Sequence, residues 1–185
     1  MLLAFHKPYA VLSQFTPDKG ENRTLAEFGL PKNIYPIGRL DADSEGLLLL
    51  SDEAQWNPRI LSPKNALWKT YWAQVEGLPS PDAIAELCEG IIIEGKKTLP
   101  ARASLLDPQP EIAPRNPPIR VRKNIPDTWI ELQICEGRNR QVRKMTAAVG
   151  HPTLRLIRRA IGEINLGDLA SGTWRELSNE ESLSL

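Results

Sequence analysis

Leu47 to Leu50 is an uninterrupted apolar run, closed by Gly46 on one side and by Ser51-Asp52 on the other. So short a run between turn-forming residues suits a strand buried on both faces, since a buried helix needs roughly ten or more residues. The polar stretch ahead of it, Gly38-Arg39-Leu40-Asp41-Ala42-Asp43-Ser44-Glu45, then forms a loop at the strand's entrance. Loops fixed to rigid strands are where catalytic side chains concentrate, which makes Arg39, Asp41 and Asp43 candidates. A surface turn whose Asp and Ser side chains bond nearby backbone accounts for the same residues, and the loop alone does not choose.

At 185 residues, 41% of them hydrophobic, the chain is long enough for one compact domain or for two lobes sharing a cleft. Cys88 and Cys135 lie far apart, in segments that read as helix and strand, and give neither a disulfide framework nor metal-ligand spacing. No stretch approaches the roughly 20 apolar residues of a membrane span, and Met1 to Phe5 is too short for a signal segment. The expectation is a cytoplasmic protein. Net charge is zero, but the charges are unevenly spread. Gly137 to Gly162 holds Arg138, Arg140, Arg143, Lys144, Arg155, Arg158 and Arg159 without a carboxylate, and Ile112 to Pro126 holds Arg115, Arg120, Arg122 and Lys123, again without one. Such density points to a polyanion partner, whereas a basic run alone is usually a solvated face.

Leu2 to Phe5 reads as a first strand closed by Lys7-Pro8, with Tyr9 to Phe15 as its continuation. Lys69 to Val75 reads as another, placing Lys69, Tyr71, Ala73 and Val75 on one face. Ser80-Pro81-Asp82 opens a helix to Glu89, with Gly90 as its stop. Ile91 to Ile93 returns as strand. Residues 107–118 carry five prolines and predict an irregular arm. Trp129 to Cys135 alternates as a half-buried strand, and Arg140 to Val149 reads as a helix with Val142, Met145 and Val149 on its core face. Strands broken by separated helices predict an α+β fold with a mixed, mainly antiparallel sheet flanked by helices.

Four stretches, in order, resemble the pseudouridine synthases, in particular the small-ribosomal-subunit-type group. They are Gly38-Arg39-Leu40-Asp41 with Ser44, Gly46 and the Leu run; Lys69-x-Tyr71; Glu136-Gly137-Arg138-Asn139-Arg140-Gln141-Val142-Arg143-Lys144-Met145; and Leu154-Arg155-Leu156-Ile157-Arg158 with Gly162 and Trp174-Arg175-Glu176-Leu177. Together they span nearly the whole chain, and as an ordered set they are specific. A finer match through Lys7-Pro8-Tyr9, Arg115-Asn116-Pro117-Pro118-Ile119-Arg120 and Thr153 to Arg158 implies 23S ribosomal RNA as substrate. Ser44 stands where many relatives have Thr and keeps the hydroxyl. Many relatives also carry a small N-terminal RNA-binding domain, whereas this sequence begins at the first strand of the catalytic domain. The resemblance thus implies a single catalytic domain over 1–185, two lobes around a central RNA-binding cleft, with recognition by the arm and the basic helix.

Pseudouridine formation breaks the bond from ribose C1′ to uracil N1 and joins C5 to C1′, with no net redox change, no cofactor and no metal. The resemblance gives the reacting carboxylate to Asp41, as nucleophile at C1′ or C6 or as a base on the ribose. A carboxylate enclosed beneath a base needs a neighbouring cation to stay ionised, a task that falls by resemblance to Arg143. Tyr71 resembles the tyrosine that packs on the target base, Arg39 the wedge that replaces the flipped uridine, and Leu156 the apolar wall of the pocket. Arg138, Arg140, Lys144, Arg155 and Arg158, with Arg115 and Arg120 of the arm, are expected at phosphates. A monomer is expected.

A catalytically silent RNA-binding or ribosome-assembly protein is the competing reading, and Asp41, Tyr71 and Arg143 together argue against it. A hydrolase using Asp41 and Asp43 as a carboxylate pair is disfavoured because residues two apart in a loop rarely hold a fixed acid–base geometry. His6 and His151 are isolated, which disfavours a metal-dependent nuclease.

Overall fold

The computed structural model describes residues 1–20, 22–65, 67–119 and 125–185. In chain order its elements are β1 (Leu2–Lys7), β2 (Tyr35–Pro36), β3 (Glu45–Ser51), α1 (Trp56–Leu61), β4 (Lys69–Glu76), α2 (Pro81–Glu89), β5 (Ile92–Ile93), β6 (Lys96–Lys97), β7 (Arg102–Leu105), β8 (Asp127–Ile134), α3 (Gln141–Ala148), β9 (Thr153–Ile161), β10 (Ile164–Asn165), β11 (Trp174–Glu176) and α4 (Asn179–Leu183). The α+β class expected from the sequence is the one observed. The chain divides into two compact units, Met1–Leu67 with Ile157–Leu185, and Trp68–Leu156. β9 runs from the second into the first.

In the first unit the strands follow the order β11-β1-β3-β9. β1 lies antiparallel to both β11 and β3, from Leu2 opposite Ser51 to Lys7 opposite Gly46. The β3–β9 pairing is parallel, with Glu45 opposite Ile157 and Gly46 opposite Arg158. Leu47 to Leu50 are wholly buried, as a short apolar run requires. Gly46, read from sequence as a boundary, is instead inside the strand. A Cβ there would lie 2.3 Å from the Arg158 carbonyl oxygen and 2.6 Å from its nitrogen, and φ is +105°. Only glycine permits this approach of two backbones.

Tyr9 to Phe15 does not continue β1. Pro8 has no N–H to give a ladder, and Ala10 adopts φ +57°, so the chain turns away. The segment is then held by separate backbone bonds, from Leu12 N to Arg23 O at 2.9 Å and from Leu25 N to Gln14 O at 2.9 Å.

Lys7, at the end of β1, has no exposed surface. Its Nζ donates to Val11 O at 2.7 Å, Pro8 O at 3.0 Å and Ala42 O at 3.5 Å. These carbonyls satisfy the ammonium in place of water. Burial nevertheless lowers its pKa from 10.5 to about 7, against the upward pull of Glu45, Asp43 and Asp41 and with the downward push of Arg158.

In the second unit the order is β4-β8-β7. β4 and β8 form an antiparallel ladder from Lys69 opposite Ile134 to Glu76 opposite Asp127. The face predicted for β4, with Lys69, Tyr71, Ala73 and Val75, is the buried one, and Ile130, Leu132 and Ile134 of β8 are buried as well. Ser80 caps α2 by accepting from Ala83 N at 3.2 Å, and the helix ends at Glu89 before Gly90. Arg140, expected as the first residue of α3, sits just ahead of it with φ +51°. Residues 107–118 form neither helix nor strand. No helix among the described residues is long and apolar enough to cross a membrane.

Gly46→Ala is expected to lower the unfolding free energy by about 2 to 4 kcal/mol, combining a disfavoured φ with a clash against backbone that cannot rotate away; urea unfolding measures it. For Lys7 the unfolded chain binds more protons than the folded one between about pH 7 and 10.5. Its contribution to stability therefore rises with pH through that window and is flat below it. Wild type should gain on Lys7→Met by on the order of 1 kcal/mol per pH unit between pH 7 and 10, and urea titrations of both proteins across that range read the slope.

Candidate active site

Asp41 lies on the loop between β2 and β3 in the first unit, and the backbone on either side of it is fixed. Ser13 Oγ donates to Leu40 O at 2.8 Å and accepts from Leu40 N at 3.0 Å. Ala10 N donates to Ala42 O at 2.7 Å, and Ser44 N closes the turn on Asp41 O at 3.0 Å. Leu40 and Ser44 are buried while Asp41 and Asp43 are half-buried. The carboxylate therefore stands on a rigid turn with its side chain partly open to solvent. Arg39, two residues earlier, is exposed, and its Nη2 donates to Gln14 Oε1 at 3.1 Å. The sequence places Arg39 and Asp41 on one loop, and the structure keeps them there.

Tyr71, Arg143 and Leu156 belong to the second unit. Tyr71 stands on the inward face of β4 with 9% of its surface exposed, opposite Leu132. Arg143 lies in the first turn of α3 and donates from Nη1 to Thr153 O at 3.2 Å, at the head of β9. Thr146, one turn on, joins the same point, its hydroxyl 2.7 Å from that of Thr153. The guanidinium is thus aimed by both α3 and β9. Leu156 is buried in β9.

α3 begins without a Ser, Thr or Asp cap. Gln141 instead ties down the turn that leads into the helix, accepting from Arg138 N at 3.0 Å and donating to Glu136 Oε1 at 2.7 Å. Glu136 in turn accepts from Leu99 N at 2.9 Å. A glutamine inside a basic run carries no capping signature, so this brace was not legible in the sequence.

The cations expected at phosphates divide into two sets. Arg138 is half-buried, donating to Lys96 O at 3.2 Å and Lys97 O at 2.7 Å and pairing with Glu136 at 3.2 Å. Arg155 is buried and donates to Ala113 O at 2.8 Å, tying β9 to the proline-rich arm. Arg158 is buried and gives its Nε to Leu47 O at 2.7 Å. The guanidinium groups of Arg155 and Arg158 thus meet backbone carbonyls inside the fold, whereas that of Arg138 stays partly exposed. Arg140 is exposed, Lys144 pairs with the exposed Glu94 at 2.6 Å, and Arg115 donates to Pro117 O at 3.0 Å within the arm. Arg120 lies outside the described residues. Lys96 and Lys97, which the sequence reading passed over, are exposed in the β5–β6 hairpin.

Among the described residues no group of three or more His, Cys, Asp and Glu side chains is placed to hold a metal. Cys88 and Cys135 are both free thiols.

The family model for RNA pseudouridylate synthase matches residues 1–148. Ribosomal large subunit pseudouridine synthase E of Xanthomonas campestris pv. campestris is 54% identical over 179 residues, 95% of this chain and 94% of the relative. The protein of the same name from Vibrio parahaemolyticus is 47% identical, over 95% of this chain and 73% of its own length. A crystal structure of a pseudouridylate synthase superposes with a TM-score of 0.80 at 28% identity, covering 99% of this chain and 72% of that one. On the family model and these relatives, the chain belongs to the RNA pseudouridylate synthase family.

Proposed function

We propose that this enzyme isomerises a uridine of 23S ribosomal RNA to pseudouridine. The observation that carries the reading is the fixed Asp41 turn, within a chain 54% identical along nearly its whole length to a large-subunit ribosomal pseudouridine synthase. A target uridine inside folded RNA is stacked, so C1′ is out of reach until the base is flipped out. Arg39, exposed and lightly held by Gln14, is free to swing into the vacated place in the stack, where its planar guanidinium offers a stacking surface. Asp41 then acts on the sugar or the base, as nucleophile or as base, while the N1–C1′ bond breaks.

By the family motif, Arg143 is the cation that serves a reacting carboxylate, Tyr71 the ring that packs on the uracil and Leu156 the apolar wall against the base. The base turns, C5 joins C1′, the C5 hydrogen leaves as a proton and the freed N1 takes one up, so the product is an isomer of the substrate and atoms and charge balance without a redox partner. Arg140, Lys144, Arg115 and the exposed Lys96 and Lys97 hold the RNA backbone; this is a sequence-independent, salt-sensitive grip.

Tritium release from large-subunit rRNA carrying 5-tritiated uridine tests the reaction. Wild type is expected to release tritium without added metal, and Asp41→Asn to be slower by at least ~100-fold with RNA affinity unchanged. Binding without release by either protein favours an RNA-binding protein of the same fold. The division of the cations is tested by affinity against salt concentration. Arg140→Gln should reduce the log–log slope by about 0.7 to 0.9, whereas Arg158→Gln should lower the melting temperature and leave the slope unchanged.

A further inference from the structure

We propose that Ser13 is a positioning residue for Asp41, a single hydroxyl that sets the orientation of the reacting carboxylate from a neighbouring segment of chain. The inference rests on the synthase reading above.

The direction of the Asp41 Cα–Cβ bond is set by the two peptide planes that meet at its Cα. The plane before it carries Leu40 O, which accepts from Ser13 Oγ at 2.8 Å. The plane after it carries Asp41 O, which accepts from Ser44 N at 3.0 Å. The other end of the Leu40 residue is held as well, since Leu40 N donates to the same Ser13 oxygen at 3.0 Å. One hydroxyl is both donor and acceptor, so it pins both polar groups of one residue, which no amide or aliphatic side chain of that size does.

The hydroxyl is itself immobile. Ser13 is 3% exposed. Its neighbours are fastened by Leu12 N to Arg23 O and by Leu25 N to Gln14 O, both at 2.9 Å, and two residues back Val11 O accepts from the buried Lys7 ammonium at 2.7 Å. Removing the hydroxyl leaves the Leu40 N–H and C=O buried and unmatched, and the loop must rotate to recover partners. Rotation about that plane swings the Asp41 carboxylate, and a displacement of about 1 Å at a reacting group costs up to ~100-fold in rate. RNA held by other residues would be bound as before.

The test compares wild type, Ser13→Ala, Ser13→Thr and Thr24→Ala by single-turnover tritium release at saturating enzyme, by RNA affinity and by melting temperature. Thr24 is a buried cap of the neighbouring 3-10 turn at Leu25–Phe28 and makes no bond to the Asp41 loop, so its truncation separates a general loss of stability nearby from loss of the Ser13 hydroxyl. Ser13→Ala is expected to slow the chemical step by ~10 to 100-fold with RNA affinity unchanged, Ser13→Thr to restore most of the rate, and Thr24→Ala to melt earlier yet react at the wild-type rate. Should Ser13→Ala not fold, Ser13→Cys keeps the volume with weaker hydrogen bonds and should react at an intermediate rate. Wild-type single-turnover rate in a folded Ser13→Ala or Ser13→Cys, or an equal loss in Thr24→Ala, overturns the inference while leaving the synthase reading in place. A wild type that releases no tritium overturns both.

Discussion

The parallel contact between β3 and β9 is the constraint on which the first unit is built. It joins Gly46 to Arg158, residues more than a hundred positions apart, at a separation that admits no Cβ. Arg158 reinforces the join by donating from Nε to Leu47 O, one residue beyond the glycine. Everything that approaches β3 from its N-terminal side therefore arrives at a fixed point. The loop bearing Arg39 and Asp41 is that approach, and its far end is fastened to the segment Ala10–Gln14 by the Ala10, Ser13 and Gln14 bonds. A loop held at both ends on rigid backbone is the condition under which one carboxylate keeps a single orientation through many turnovers.

Charge inside this unit is arranged with unusual economy. Lys7 is sealed from water, and Arg158 and Glu45 are nearly so. Isolated ions in such surroundings would be expensive, and here cations and carboxylates offset one another while carbonyl oxygens replace the hydration shell. Lys7 lies within the fields of Glu45, Asp43 and Asp41, yet desolvation prevails and its pKa falls to about 7. Lys7 is thus a group near the midpoint of its titration at physiological pH, one bond removed from the loop carbonyl at Ala42.

Much of the fold was legible because it rests on local signals. The period of two in Lys69 to Val75, the Ser80-Pro81 start and Gly90 stop of α2, and the compact Leu47–Leu50 run each appear where propensity and patterning put them. Asp41, Tyr71 and Arg143 were named from motif resemblance and lie on a loop, a strand and a helix as that reading requires. What escaped was non-local. Gly46 reads as punctuation unless the approach of Arg158 is known, and Ser13 is an ordinary serine in a plausible strand until Leu40 is seen across from it. Gln141 braces the turn before α3 through a chain of bonds reaching Leu99, which no spacing rule encodes.

The same distinction governs how the basic residues are used. Density of Arg and Lys along the sequence measures how much cation is available, and says nothing about which guanidinium groups face water. Arginine is well suited to interior carbonyls because its five donors lie in a fixed planar fork and its charge is weakly hydrated, so burying it with partners costs less than burying Lys. Arg155 and Arg158 follow this rule, completing backbone oxygens of an arm and a strand, and the half-buried Arg138 does the same at the surface for a hairpin. By bracing Lys96 and Lys97 through their carbonyls, Arg138 leaves both lysine side chains exposed on a short, rigid hairpin. Within one motif, then, Arg138 braces the hairpin while Arg140, two residues on, stays exposed.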